Sequence, residues 1–208
     1  LANISLKEPA MSDPYAQTAA DPDLQQVAAA GGGSAQPAPG AEPPDPDDVN
    51  ALARMIFAEG DSLYRVPGAM EGIGWVARNR MSAPGFPDTL QGVLTQPGRN
   101  GAPQFQAVGN AISRGSKQWQ LSADPSQLQG PDVAAYQRAH DVAQGILGGQ
   151  IPDPTGGATF YLTSPWAAHP PEDGYKAPGV PPKFVRTVPS IGDTKQGWVT
   201  FYNPAASP

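Results

Sequence analysis

The sequence predicts an α+β domain behind a Pro/Gly-rich acidic arm, and three observations carry that prediction. Up to residue 147, apolar residues recur at helical spacing in several segments. Beyond residue 150 they fall into short β-type runs, and before residue 47 they are few and follow no pattern. Helices first and strands afterwards is the order of an α+β fold.

The arm, residues 1–46, holds eight prolines, the run Gly31-Gly32-Gly33 and the stretch AQPAPGAEPPDP. A segment this poor in large apolar residues cannot bury enough surface to offset the entropy of ordering it. Residues 1–50 carry one base, Lys7, against eight acids, whereas the remainder carries twelve bases and eleven acids. The net charge of −6 is therefore a property of the arm. Residues 47–208 are near neutral and long enough for one compact domain.

The first helix is expected over 47–59, capped by Asp47 or Asp48, with Val49, Leu52, Ala53 and Ile56 as its stripe and Gly60 as its stop. A second is expected over 67–81, with Pro67 at its first position and a stripe of Met70, Ile73, Ala77 and Met81 widened by Trp75 and Val76. A short helix near 88–95 follows a loop, and 97–118 has no clear period. A long helix over 131–147 opens on Pro131 and closes on Gly148-Gly149, with Val133, Tyr136, His140, Ala143 and Leu147 on one face. The runs ATFYLT, KFVRTV and GWVTFY read as strands.

Composition removes several classes of function. With no cysteine there is no disulfide, thiolate metal site or cysteine nucleophile. Two histidines, His140 and His169, leave little for a metal centre, and no cofactor is expected. An acidic chain with 15% charged residues is not built to bind nucleic acid through phosphates. No apolar run is long enough to span a membrane, and no signal peptide is visible in the first residues. The glycine runs lack the lysine of a phosphate loop, and no Gly-x-Ser-x-Gly turn supports a serine triad.

Glu59 stands out. It falls three positions after Ile56 and seven after Leu52, on the apolar stripe, at the carboxyl end of its helix. Burial and the helix dipole both push such a carboxyl towards its protonated form. A protonated carboxyl near neutral pH is what glycosidic cleavage requires, because the leaving oxygen must be protonated as its bond breaks. The alternative, from spacing alone, is a glutamate at a frayed helix end pointing to solvent. Glu71 reads as a charge in the first turn of the second helix. Asp61 and Glu71 are the candidates for a second carboxylate. His140 reads as a core histidine, and His169 sits in a proline-rich loop beside Trp166, Glu172 and Tyr175.

The segments LARMIFAEG, GWVARNRM, FPDTLQGVL, PQFQA, AAYQRAHDVAQGIL and PDPTGGATFYL, in that order, resemble the SleB/CwlJ-type cell wall hydrolase family. The resemblance covers residues 48–162 best. It implies a lysozyme-like domain and cleavage of peptidoglycan glycan strands between N-acetylmuramic acid and N-acetylglucosamine, in the manner of a lytic transglycosylase. The family's catalytic glutamate, at the end of its first helix, corresponds to Glu59. Gln104, Thr155 and Tyr161 are the implied groove residues, with Phe105 as packing and Asn79 as a structural hydrogen bonder. Many members read Glu-Ala-Arg-Gly-Glu at the catalytic turn, where this chain reads Glu59-Gly60-Asp61-Ser62. The implied partner is peptidoglycan, met outside the cytoplasm or from a virion. A second reading makes the chain a structural or wall-binding part of a phage tail or cell-envelope assembly, with residues 1–46 anchoring it to a virion or envelope protein.

Overall fold

The computed structural model describes residues 43–98, 101–110, 113–163, 184–193 and 197–204. The chain divides into a unit Leu1–Ser34 and a unit Ala35–Pro208, and every described residue lies in the second. The arm and the loop with Trp166, His169, Glu172 and Tyr175 lie outside the described residues.

Helices come first and a small antiparallel sheet follows, an α+β fold. Helix α1 spans Pro46–Gly60, α2 Ala69–Arg80, α3 Leu90–Thr95, α4 Lys117–Leu121 and α5 Pro131–Leu147. Short 3₁₀ turns lie at Asp61–Leu63 and Pro125–Gln127. The strands are β1 Phe160–Thr163, β2 Phe184–Arg186, β3 Ile191–Asp193 and β4 Gly197–Pro204.

Helix α1 is the axis of the helical part. Its cap is Asp45 rather than Asp47 or Asp48: the Asp45 carboxylate accepts the Asp47 N–H at 2.8 Å, and Pro46 takes the first position. Asp47 and Asp48 then fill the first turn, where the dipole favours acids. The expected stripe is buried, but so are Met55, Phe57 and Ala58, because α2, α3, α4 and α5 all pack against this helix. Helix α2 starts two residues later than Pro67. Gly68, at φ 84°, makes the turn that a residue with a side chain adopts only at a cost.

Helix α5 has the expected bounds but a rotated buried face. Ala135, Ala139, Val142, Ala143 and Ile146 point inward, while Val133 is 52% exposed. Small alanines let α5 lie close against α1, so the apolar bulk at Val133 faces out. Tyr136 stays at the margin, edge-on to the Phe57 ring at 5.6 Å.

Among the described residues, the three other strands all pair antiparallel with β4. Strand β1 takes one register (Tyr161 opposite Phe201), and β2 and β3 pair with successive stretches of β4. Residues Trp198–Tyr202 are buried without alternation, so β4 is covered on both faces. Strand β3 was not expected from its three-residue pattern.

The turn before β1 is tied to the helices through one side chain. Asn79 Nδ2 reaches Asp153 Oδ2, Thr155 Oγ1 and the Ala158 carbonyl at 3.1, 3.2 and 3.1 Å. Asp153 also accepts the N–H groups of Thr155 and Gly157. Burial pushes the Asp153 carboxyl up, but these hydrogen bonds together outweigh it and hold it below its ordinary value. Asn203 closes the other side, accepting from the Thr159 N–H and hydroxyl and donating to Gly157 O. Asn79→Ala should leave these acceptors short of a donor and lower stability by about 2 kcal/mol. Urea unfolding checks this, and an unchanged midpoint would show that Asn79 holds nothing.

Candidate active site

Glu59 sits in the last turn of α1, just before the chain tightens into the 3₁₀ turn at Asp61–Leu63. It is half-buried as a residue. Its Oε1 accepts the Ala107 N–H at 2.8 Å, and its carboxyl also bonds the Tyr161 hydroxyl. Burial of the carboxyl raises its pKa above the ordinary 4.5, and this outweighs the Ala107 N–H, the Tyr161 hydroxyl and the charge of Arg80, which all pull down. The outcome expected from helical spacing is therefore met by desolvation. The frayed, solvent-facing alternative does not describe this side chain.

Tyr161 comes from β1 and meets Glu59 across the boundary between helices and sheet. Burial, then the neighbouring Glu59, push its hydroxyl well above 10, so it stays a donor throughout the working pH range. Its ring tilts against Phe105 at 6.3 Å. Phe105 is 2% exposed and packs, as the sequence suggested. The adjacent Gln104 is half-buried, and its main-chain N–H bonds Gln96 O at 3.1 Å.

Thr155 corrects the expectation. It is 0% exposed, and its hydroxyl is used up inside the turn: it donates to Asp153 Oδ1 at 2.6 Å and accepts from Asn79 and the Ala158 N–H. A hydroxyl so placed cannot also reach a sugar. Thr155 shapes the turn that delivers β1.

The two further carboxylates are engaged elsewhere. Asp61 bonds the Ser62 N–H at 2.7 Å and the Gln118 side chain, and burial followed by the nearby Asp132 charge raises its pKa despite those bonds. Glu71 pairs with Arg138 of α5 at 2.7 Å. Neither shares a hydrogen-bond partner with Glu59. Among the described residues, no group of three His, Asp or Glu side chains stands together as a metal site. No helix among them is long and apolar enough to cross a membrane.

Arg80 is the residue that sequence reasoning missed. It closes α2, is 4% exposed, and donates from Nε to the Thr159 carbonyl at 2.7 Å. Its guanidinium lies 4.5 Å from the Phe105 ring centre and 5.1 Å from those of Phe86 and Phe160. Burial lowers its pKa to about 10, opposed by the fields of Tyr161 and Glu59, so it stays charged. A signal was available: Arg80 follows Ile73, Val76 and Ala77 on the buried stripe of α2, as Glu59 follows Ile56 on α1. The Ala107 N–H had none, because main-chain donors leave no mark in a sequence.

The family model of cell wall hydrolases matches residues 67–175. The match starts at Pro67, so Glu59 lies just outside it and Arg80, Gln104, Thr155 and Tyr161 lie within. No curated protein and no solved structure matches the chain.

Proposed function

The chain belongs to the cell wall hydrolase family, an assignment that makes peptidoglycan its substrate and the cell wall its place of action, and from that premise we propose that Glu59 is a single general acid and base that cuts the glycan strand as a lytic transglycosylase does. One observation carries the proposal. Glu59 is a desolvated carboxyl, protonated more readily than usual, and its neighbours among the described residues are an N–H, an O–H and a cation rather than a second carboxylate.

The chemistry follows from that setting. Protonated Glu59 gives its proton to the oxygen linking N-acetylmuramic acid to N-acetylglucosamine, and the C1–O bond breaks. Positive charge develops at C1, and the new carboxylate faces it. The carboxylate then takes the proton of the muramic C6 hydroxyl, whose oxygen closes on C1. The products are a 1,6-anhydro end and a free N-acetylglucosamine end, and Glu59 is again protonated. An inverting or retaining hydrolase needs a partner carboxylate at the reacting centre. Asp61 and Glu71 both have other partners. Gln104, beside Phe105, is the groove hydrogen bonder in this reading, and Tyr161 orients the acid.

Mass spectrometry of digested, purified peptidoglycan tests the bond chemistry. Anhydro-muropeptides are expected. Ordinary reducing ends would make the enzyme a hydrolase, with Asp61 or Glu71 recruited as the second carboxylate. A companion measurement addresses Tyr161. Tyr161→Phe removes a hydrogen bond to the carboxylate but keeps the ring on Phe105, so turnover should fall about tenfold or more. Its alkaline limb should move to higher pH, because the lost bond had held Glu59 down. A rate equal to wild type at every pH would remove Tyr161 from the mechanism.

A further inference from the structure

Resting on the assignment of Glu59 as the acid, we propose that Arg80 is its positioning residue: a cation caged by three aromatic rings and held on the carbonyl just before β1, whose charge stabilises the carboxylate left by proton donation. Four features of the side chain support this. It is almost wholly buried, yet its Nη1 has no hydrogen-bond partner. Its Nε is anchored to Thr159 O, two residues before Tyr161. Phe105 touches both neighbourhoods: its ring centre lies 6.3 Å from that of Tyr161, which bonds Glu59, and 4.5 Å from the Arg80 guanidinium carbon. Its field reaches both Glu59 and Tyr161.

A merely structural role would not select these properties. Any donor satisfies one carbonyl, and an apolar chain packs on Phe86, Phe105 and Phe160 without burying an unpaired N–H. What arginine adds is a charge that persists at every working pH. The groups that face Glu59 among the described residues are the Ala107 N–H from the 101–110 loop, Tyr161 from β1 and Arg80 from α2. Only Arg80 brings a full charge. Before proton transfer Glu59 is neutral and the arginine has little to act on. Afterwards the carboxylate is an anion in a desolvated site, and the attraction appears at the step where it lowers the barrier. Arg80 donates nothing to substrate in this scheme and acts through Glu59.

The test titrates Glu59 directly. The full chain has five glutamates, so carboxyl-carbon NMR of a glutamate-labelled sample resolves them, and the signal lost in Glu59→Gln identifies Glu59. In Arg80→Met and Arg80→Gln the Glu59 midpoint should rise by about one pH unit, a tenfold change in proton affinity. The alkaline limb of peptidoglycan turnover should rise with it while the acid-side plateau falls about tenfold. Arg80→Lys, which keeps the charge, should restore the midpoint. A loosened structure would lower the plateau but leave the limb in place. An unmoved Glu59 midpoint in the neutral variants overturns the proposal, as does a lysine variant that shifts as far as methionine. Should neither neutral variant fold, the lysine variant decides: a midpoint close to wild type supports the role, and a full-unit rise rejects it. Activity retained in Glu59→Gln would instead reject the acid itself, an outcome distinct from any of these.

Discussion

Glu59→Gln should lose about a thousandfold in peptidoglycan turnover, the scale of a general acid or base removed from the reacting bond. Glutamine keeps the size of the side chain and can accept the Ala107 N–H through its amide oxygen, so the site should stay assembled. Stability should move the opposite way. The Glu59 pKa is raised by folding, so the native state holds this proton more tightly than the unfolded chain. Below the unfolded value near 4.5 both states are protonated and the carboxyl costs nothing. As the pH rises past that value the unfolded chain ionises first, and native stability drains until the folded group has ionised too. Glutamine does not titrate. The variant should therefore match wild type in thermal unfolding at pH 4 and exceed it at pH 7. A variant as active as wild type would end the assignment. A variant less stable than wild type at pH 7 would mean that the site does not disfavour the anion.

Gly72→Ala should be the most damaging single methyl added to the helices. A Cβ at this position in α2 would overlap the ring of Phe201, a fully buried residue of β4. Two effects compete. Alanine gains about 1 kcal/mol over glycine in a helix interior. Forcing a methyl into a filled core costs up to about 3 kcal/mol. The obstacle is a rigid ring with nowhere to turn, so the upper end applies and the net loss should be about 2 kcal/mol. For a domain of this size that lowers Tm by about 4–8 °C. Gly74 plays the same part on the other side, where an added Cβ would meet Ile146 Cδ1 at 2.7 Å and Ile56 Cδ1 at 2.8 Å. Calorimetry of Gly72→Ala, Phe201→Leu and their combination forms a double-mutant cycle. The pair should be less destabilised than the sum of its members. Simple additivity would show that the ring and the methyl do not meet.

Much of the architecture was legible because it rests on periodicity. The order of helices and strands follows from apolar spacing, and helix α5 begins at Pro131 and ends at Leu147 where its punctuating residues stand. The burial of one side of α1 and the enclosure of Glu59 come from the same arithmetic. What stayed hidden depends on contacts between distant segments. Which face of α5 turns inward was misread because Val133 is more apolar than Ala135 or Ala139, while close helix packing rewards small residues. The family resemblance makes Thr155 a groove residue, and its capture by Asp153 and Asn79 is visible only in three dimensions. Arg80 drew no reading from its position, since a cation suits a helix end with or without a cage of rings.

The bond from Ala107 to Glu59 comes from the main chain, and this bears on how the site withstands genetic drift. Every amino acid except proline carries that N–H. Position 107 is buried at 9% exposure, so its side chain is limited to small residues that bury no unpaired polar group. A lineage can exchange alanine there for another small residue without touching the proton donor's immediate bonding. The acid is thus exposed to mutation at its own codon and at that of Tyr161, while its other hydrogen-bonding partner is inherited through the path of the loop rather than through the identity of any one residue.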